Sequence, residues 1–158
     1  MVFGMKPSRF WRVAAAGLVL SMLAVPSLLT GGDEPAIDEL KGRLANARVV
    51  DRPPLCIRIS ERQLDAADTF YVAGDSDKAQ AALADVVAFS ELARDYAIQS
   101  HKHEKQSEIA IRKMARKLAD LKHTVSHDDQ GQIQDAINRL QQARDDLLAA
   151  MFPKGGKK

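Results

Sequence analysis

Four histidines, His101, His103, His123 and His127, share one stretch of the chain with a dense block of basic side chains. Imidazole is a ligand for transition metals, and clustered ammonium and guanidinium groups attract anions, so the stretch poses two chemistries. Spacing separates them. On a continuous helix His101 and His103 point about 200° apart and cannot share an ion. His103 and His123 are separated by about 30 Å of such a helix, against metal–nitrogen bonds of about 2 Å. His123 and His127 stand at i and i+4, the ligand spacing of helical zinc sites, and Asp128 or Asp129 could add an oxygen. They are the candidate metal pair. The competing account places His127 at a helix end, where imidazole complements the dipole and the last carbonyls. No cofactor is otherwise indicated, since the C-x-x-C-H signature of attached haem is absent.

The candidate binding face is basic: Lys102, Lys105, Arg112, Lys113, Arg116 and Lys117. Ile111, Met114 and Leu118 repeat at three and four residues, so they form the apolar seam and these charges project outward or flank it. Such a face is either solvated or binds an acidic partner: a protein surface, anionic lipid headgroups or an envelope polymer. Catalysis finds no support. There is no glycine-rich phosphate loop, no G-x-S-x-G and no H-E-x-x-H. The carboxylates lie among lysines and arginines rather than in apolar surroundings that would tune them. The chain is expected not to be an enzyme.

The elements that must carry these residues are helical throughout, and the expected class is all-α. Ile37, Leu40, Leu44 and Ala47 predict a first amphipathic helix over about 34–50, ended by "DRPPL". A second helix over about 55–73 carries Ile59, Leu64, Ala67 and Tyr71. Gly74 suits its C-terminus, and Asp75 or Ser76 suits the next N-cap. Between Gly74 and Gly131 there is neither glycine nor proline. Leu83, Val86, Ser90, Ala93 and Ala97 keep a seven-residue rhythm that Ile111, Met114, Leu118, Leu121 and Val125 resume in phase. This predicts one long central helix over about 76–126, broken by "HDDQG". A last helix then carries Ile133, Ile137, Leu140, Leu147 and Met151.

Helical hairpins against each half of that rod would form an elongated, coiled-coil-like bundle. Basic residues on the rod's second half and aspartates on the last helix favour their pairing. The alternative is a kink near His101 to Ser107, where the seam turns polar at Ser100, Glu104 and Ser107, giving a compact four-helix bundle.

"LDAADTFYVAGDSDKAQAALADVV", Leu64 to Val87, resembles one tetratricopeptide unit, with Ala67, Phe70, Gly74, Ala79 and Leu83 at that repeat's small and large positions. The resemblance implies a helical hairpin able to serve as a protein-binding face. An array needs at least three stacked units, and only one is found. The remainder resembles exported bacterial helical proteins of unknown function.

The ends set destination. Lys6, Arg9 and Arg12 precede an uncharged apolar run, Val13 to Leu29, the form of an export signal, with cleavage expected after Ser27 or Gly32. Residues 1–32 are therefore expected to be a signal peptide or, if uncleaved, an N-terminal anchor facing the periplasm. Residues 33–152 are the helical domain and 153–158 a basic flexible tail. Three of the 23 basic residues and none of the 21 acidic ones lie in 1–32, leaving 20 against 21 and a net charge of −1. A general polyanion-binding surface is thereby excluded, and nucleic acid is not an expected partner. Trp11 leaves with the signal, and five aromatics remain. Cys56 stands alone, so it is a buried apolar residue or an intermolecular disulfide partner.

Together these features predict an exported, non-enzymatic interaction protein of the cell envelope, with self-association allowed. The alternatives are a metal- or ligand-carrying four-helix bundle using His123, His127 and Cys56, and a periplasmic holdase.

Overall fold

The computed structural model describes residues 36–154. The expected signal or anchor over 1–32 and most of the basic tail lie outside the described residues. The regular structure is helical, as the periodicity predicts: α1 (Ile37–Asn46), a 3-10 turn (Val49–Asp51), α2 (Arg52–Val72), α3 (Ser76–Ser100), α4 (Glu104–Lys122) and α5 (His127–Met151). None of these helices is long and apolar enough to cross a membrane.

Local chemistry sets most boundaries. Pro53 and Pro54 occupy the first turn of α2, where a missing N–H costs no hydrogen bond. Gly74, at φ 75, closes α2 in the left-handed region that a Cβ disfavours. Asp75 caps α3, accepting from the Lys78 N–H at 3.4 Å and the Lys78 ammonium at 2.6 Å.

The single rod over 76–126 does not form. The chain reverses at Ser100–Glu104, and the kinked alternative, a four-helix bundle, is the architecture found. Lys102 N–H donates to the Ala97 carbonyl at 3.3 Å and His101 N–H to the Ile98 carbonyl at 3.4 Å, a Schellman closure of α3. His101 (φ 53) and His103 (φ 64) both take left-handed backbone without being glycine. Histidine is one of the few side-chain-bearing residues enriched there, at a cost of roughly 1–2 kcal/mol each. Folding back offsets that cost, because it lays the α4–α5 hairpin on the α2–α3 hairpin, so that α3 is covered by α2 and α5. Leu83, Val86, Ala93 and Ala97 of α3 join Ile111, Met114, Leu118 and Leu121 of α4 in one buried cluster with α5's Ile133, Ile137, Leu140 and Leu147.

Two antiparallel hairpins, α2–α3 and α4–α5, make the bundle. In the first, Ser90 Oγ donates to Ser60 Oγ and Ser60 Oγ to the Val86 carbonyl, both at 3.2 Å, so neither buried hydroxyl is orphaned. Between hairpins, α3 and α5 run parallel, joined by Glu91–Arg139 and Arg94–Asp146. The parallel α2 and α4 are joined by Asp65–Lys117. α1 docks outside, with Leu40 buried and Lys41 bonded to Asp85 at 3.2 Å over the Phe89 ring.

The expected charge complementarity within α4–α5 is not what joins them. Their ion pair runs the other way, from Glu108 on α4 to Arg144 on α5 at 2.9 Å. Asp146 turns instead to α3, and Asp129 accepts from Ser126, Ser76 and Gln80. The second break falls at 123–126 rather than at "HDDQG", and Gly131 lies inside α5 with open space where a Cβ would stand.

Candidate interaction face

α4 presents its seam, Ile111, Met114, Ala115, Leu118 and Leu121, to the core, which leaves the basic residues on its outer arc as predicted. Folding divides that arc into two unlike flanks. Toward α2, a groove of about 300 Å³ is lined by Glu61, Leu64, Asp65, Lys113, Met114 and Lys117. Here charges balance: Lys117 pairs with Asp65 at 2.5 Å, and Lys113 faces Glu61. Burial, with Asp65 adding repulsion, pushes the Glu61 carboxyl above its ordinary range, and Lys113 and Arg58 oppose that rise.

Toward α5, a groove of about 340 Å³ carries three arginines, Arg112, Arg116 and Arg144, around a floor of Ala115, Ala119, Ile137 and Leu140. Glu108 holds two of them, Arg112 and Arg144. Its side chain is 9% exposed and accepts from Arg144 Nε at 2.9 Å and pairs with Arg112 Nε at 3.4 Å. Arg144 Nη1 also lies 3.5 Å from the exposed Asp145, so one buried and one exposed carboxylate face two guanidiniums. Arg116, exposed at the same rim, has no ion pair among the described residues. The small alanines of α4 keep the floor open, and the planar forks above it suit a carboxylate or phosphate.

The six predicted basic residues are therefore not one surface. Arg112 and Arg116 belong to the arginine groove, and Lys113 and Lys117 to the balanced flank. Lys102 and Lys105 sit exposed at the α3–α4 turn. Arg144 escaped sequence reasoning because it is on another helix. Its signal was available: with α4 and α5 antiparallel, Glu108 and Arg144 fall opposite one another beside the seam.

The metal pair is not assembled as the spacing implied. His123 follows the end of α4 and His127 opens α5, with a turn between them, so no single helix face holds both. Both are exposed, and no group of three or more His, Cys, Asp or Glu side chains able to hold a metal ion occurs among the described residues. Cys56 is fully buried in α2, where burial pushes its thiol up to about 12, only partly opposed by Arg52. A thiol so placed is neither a ligand nor a disulfide partner while the bundle is closed. The stretch Leu64 to Val87 covers the last part of α2, the turn and the first half of α3, with Ala67, Ala79 and Leu83 buried.

Comparison of the chain with protein-family models, with curated proteins and with solved structures finds no match.

Proposed function

We propose that this chain is an exported, non-enzymatic interaction protein of the cell envelope that binds an anionic partner, a protein surface or an envelope component, along the α4–α5 groove. The observation that supports the reading is the excess of guanidinium there: Arg112, Arg116 and Arg144 surround an apolar floor, with Glu108 pairing the first and last and Asp145 adding a rim contact to Arg144. Export rests on the basic start and the apolar run of residues 13–29. The grooves are shallow clefts between helices, a shape that suits contact along a partner's surface.

The test is crosslinking in living cells, followed by identification of what is captured, on the wild-type chain and on Arg116→Glu/Arg144→Glu. Loss of a specific anionic partner from the variant, with the helical spectrum intact, is the expected result. Identical capture by both chains would remove the groove from the function.

A further inference from the structure

The α3–α4 turn is unusual in what it joins. The three residues between Ser100 and Glu104 reverse the chain, and two of them, His101 and His103, hold left-handed backbone against a Cβ. The other left-handed residue described, Gly74, closes the α2–α3 hairpin and is glycine, as that conformation ordinarily demands. The sequence on both sides of the histidine turn suits uninterrupted helix, with no glycine or proline from Asp75 to Gln130. Leu83, Ala97, Ile111 and Val125 lie at multiples of fourteen, so a straightened α3–α4 would carry both apolar stripes along one side. The strain and the continuous phase are independent observations, and they agree.

What straightening would break is equally specific. The bonds it opens join one hairpin to the other: Glu91–Arg139, Arg94–Asp146, Gln80–Asp129 and Ser76–Asp129 between α3 and α5, and Asp65–Lys117 between α2 and α4. Each hairpin stays whole. A second copy of the chain, opened in the same way, offers the same groups in the same geometry.

We propose that Ser100–Glu104 is a hinge through which two copies of this chain exchange their α4–α5 hairpins. In the exchanged dimer α3 and α4 join into one helix over 76–122, about 70 Å long. Every inter-hairpin bond is remade with the partner, and the two strained turns disappear. The opposing term is the entropy of association, so the balance depends on concentration. The inference holds whatever the arginine groove binds.

The experiment uses the full chain, refolded at low and high concentration and sized by light scattering, in three hinge forms. His101→Ala/His103→Ala penalises the turn and favours helix, whereas His101→Gly/His103→Gly relaxes it. Each turn residue weighs roughly fivefold, and a dimer frees four, so the dimer dissociation constant should differ between the forms by about six-hundredfold. The alanine form should dimerise most tightly and the glycine form least. Identity of the dimer is read by placing Asp65→Cys and Lys117→Cys on a Cys56→Ser background and bridging them with a short bis-maleimide. Exchange predicts links between two chains in the dimer and within one chain in the monomer. Links confined to single chains in the dimer, absence of any dimer, or no ordering among the hinge forms would each overturn the proposal. Should the alanine form fail to fold, the wild-type and glycine forms still give both readouts.

Discussion

Replacing Glu108 by glutamine sets a loss of stability against a gain in the proposed anion binding. In the folded chain its carboxylate is nearly buried and engages Arg144 and Arg112, whose side chains are 36% and 42% exposed. Removing one partner of a fully buried pair costs roughly 3–5 kcal/mol, whereas exposed pairs contribute about 0–1 kcal/mol. A buried acid facing half-exposed bases falls between, at about 2 kcal/mol. For a helical domain of this size that lowers Tm by about 5–10 °C without unfolding it. Binding should move the other way. Glutamine leaves Arg112 without its ion pair and Arg144 with Asp145 alone, adding one net positive charge to a groove that already holds Arg116. A basic residue near an anionic surface is worth about 1 kcal/mol, so affinity for anionic vesicles should rise about fivefold at low salt and the gain should shrink as salt screens it. Circular dichroism melts and vesicle co-sedimentation on the same preparation give both numbers. A fall in Tm with unchanged or weakened vesicle binding would refute the assignment of the groove as the anion site.

Three further outcomes follow from the packing. Cys56, buried with its thiol at about 12, should resist a thiol reagent at pH 8 in the native chain and react fully once denatured. Asp129, held below the ordinary carboxylate range by the Ser126 hydroxyl first and then by Gln80 and Ser76, contributes stability that is present above its unfolded value and lost as pH falls through its folded one. Asp129→Asn should therefore flatten the loss of Tm with acid below about pH 4, and an unchanged acid limb would place the linkage elsewhere. Leu118→Ala, at a fully buried position between α4 and its neighbours, should cost about 2–5 kcal/mol in a denaturant titration.

Much of the fold was legible because its signals are local. Pro53 and Pro54 open α2, Gly74 and Asp75 divide α2 from α3, and the three-and-four spacing marks the faces that become core. The reversal at Ser100–Glu104 was legible only as an alternative, for a physical reason. It uses histidines where a glycine would have announced it, and the apolar phase runs through it unbroken. Gly131 misled in the opposite sense, since it sits inside α5 with nothing near its missing Cβ. The groove was half legible. Arg112 and Arg116 stand out beside the seam of α4, but Arg144 and the burial of Glu108 depend on which helix packs there. Composition pointed to basic against acidic, while the bundle joins α4 to α5 through the inverse pair.

The account stands on the chain folding back at the histidine turn. Spin labels at Asp77 and Asp120, exposed at the start of α3 and the end of α4, measure this directly by electron–electron dipolar spectroscopy on the monomer. Helices reversed within one bundle place those labels roughly 15–25 Å apart, a few helix diameters at most. A continuous helix between them would set the distance at roughly 65 Å in the same monomer, and that value would contradict the four-helix bundle and the reversal at the histidine turn together.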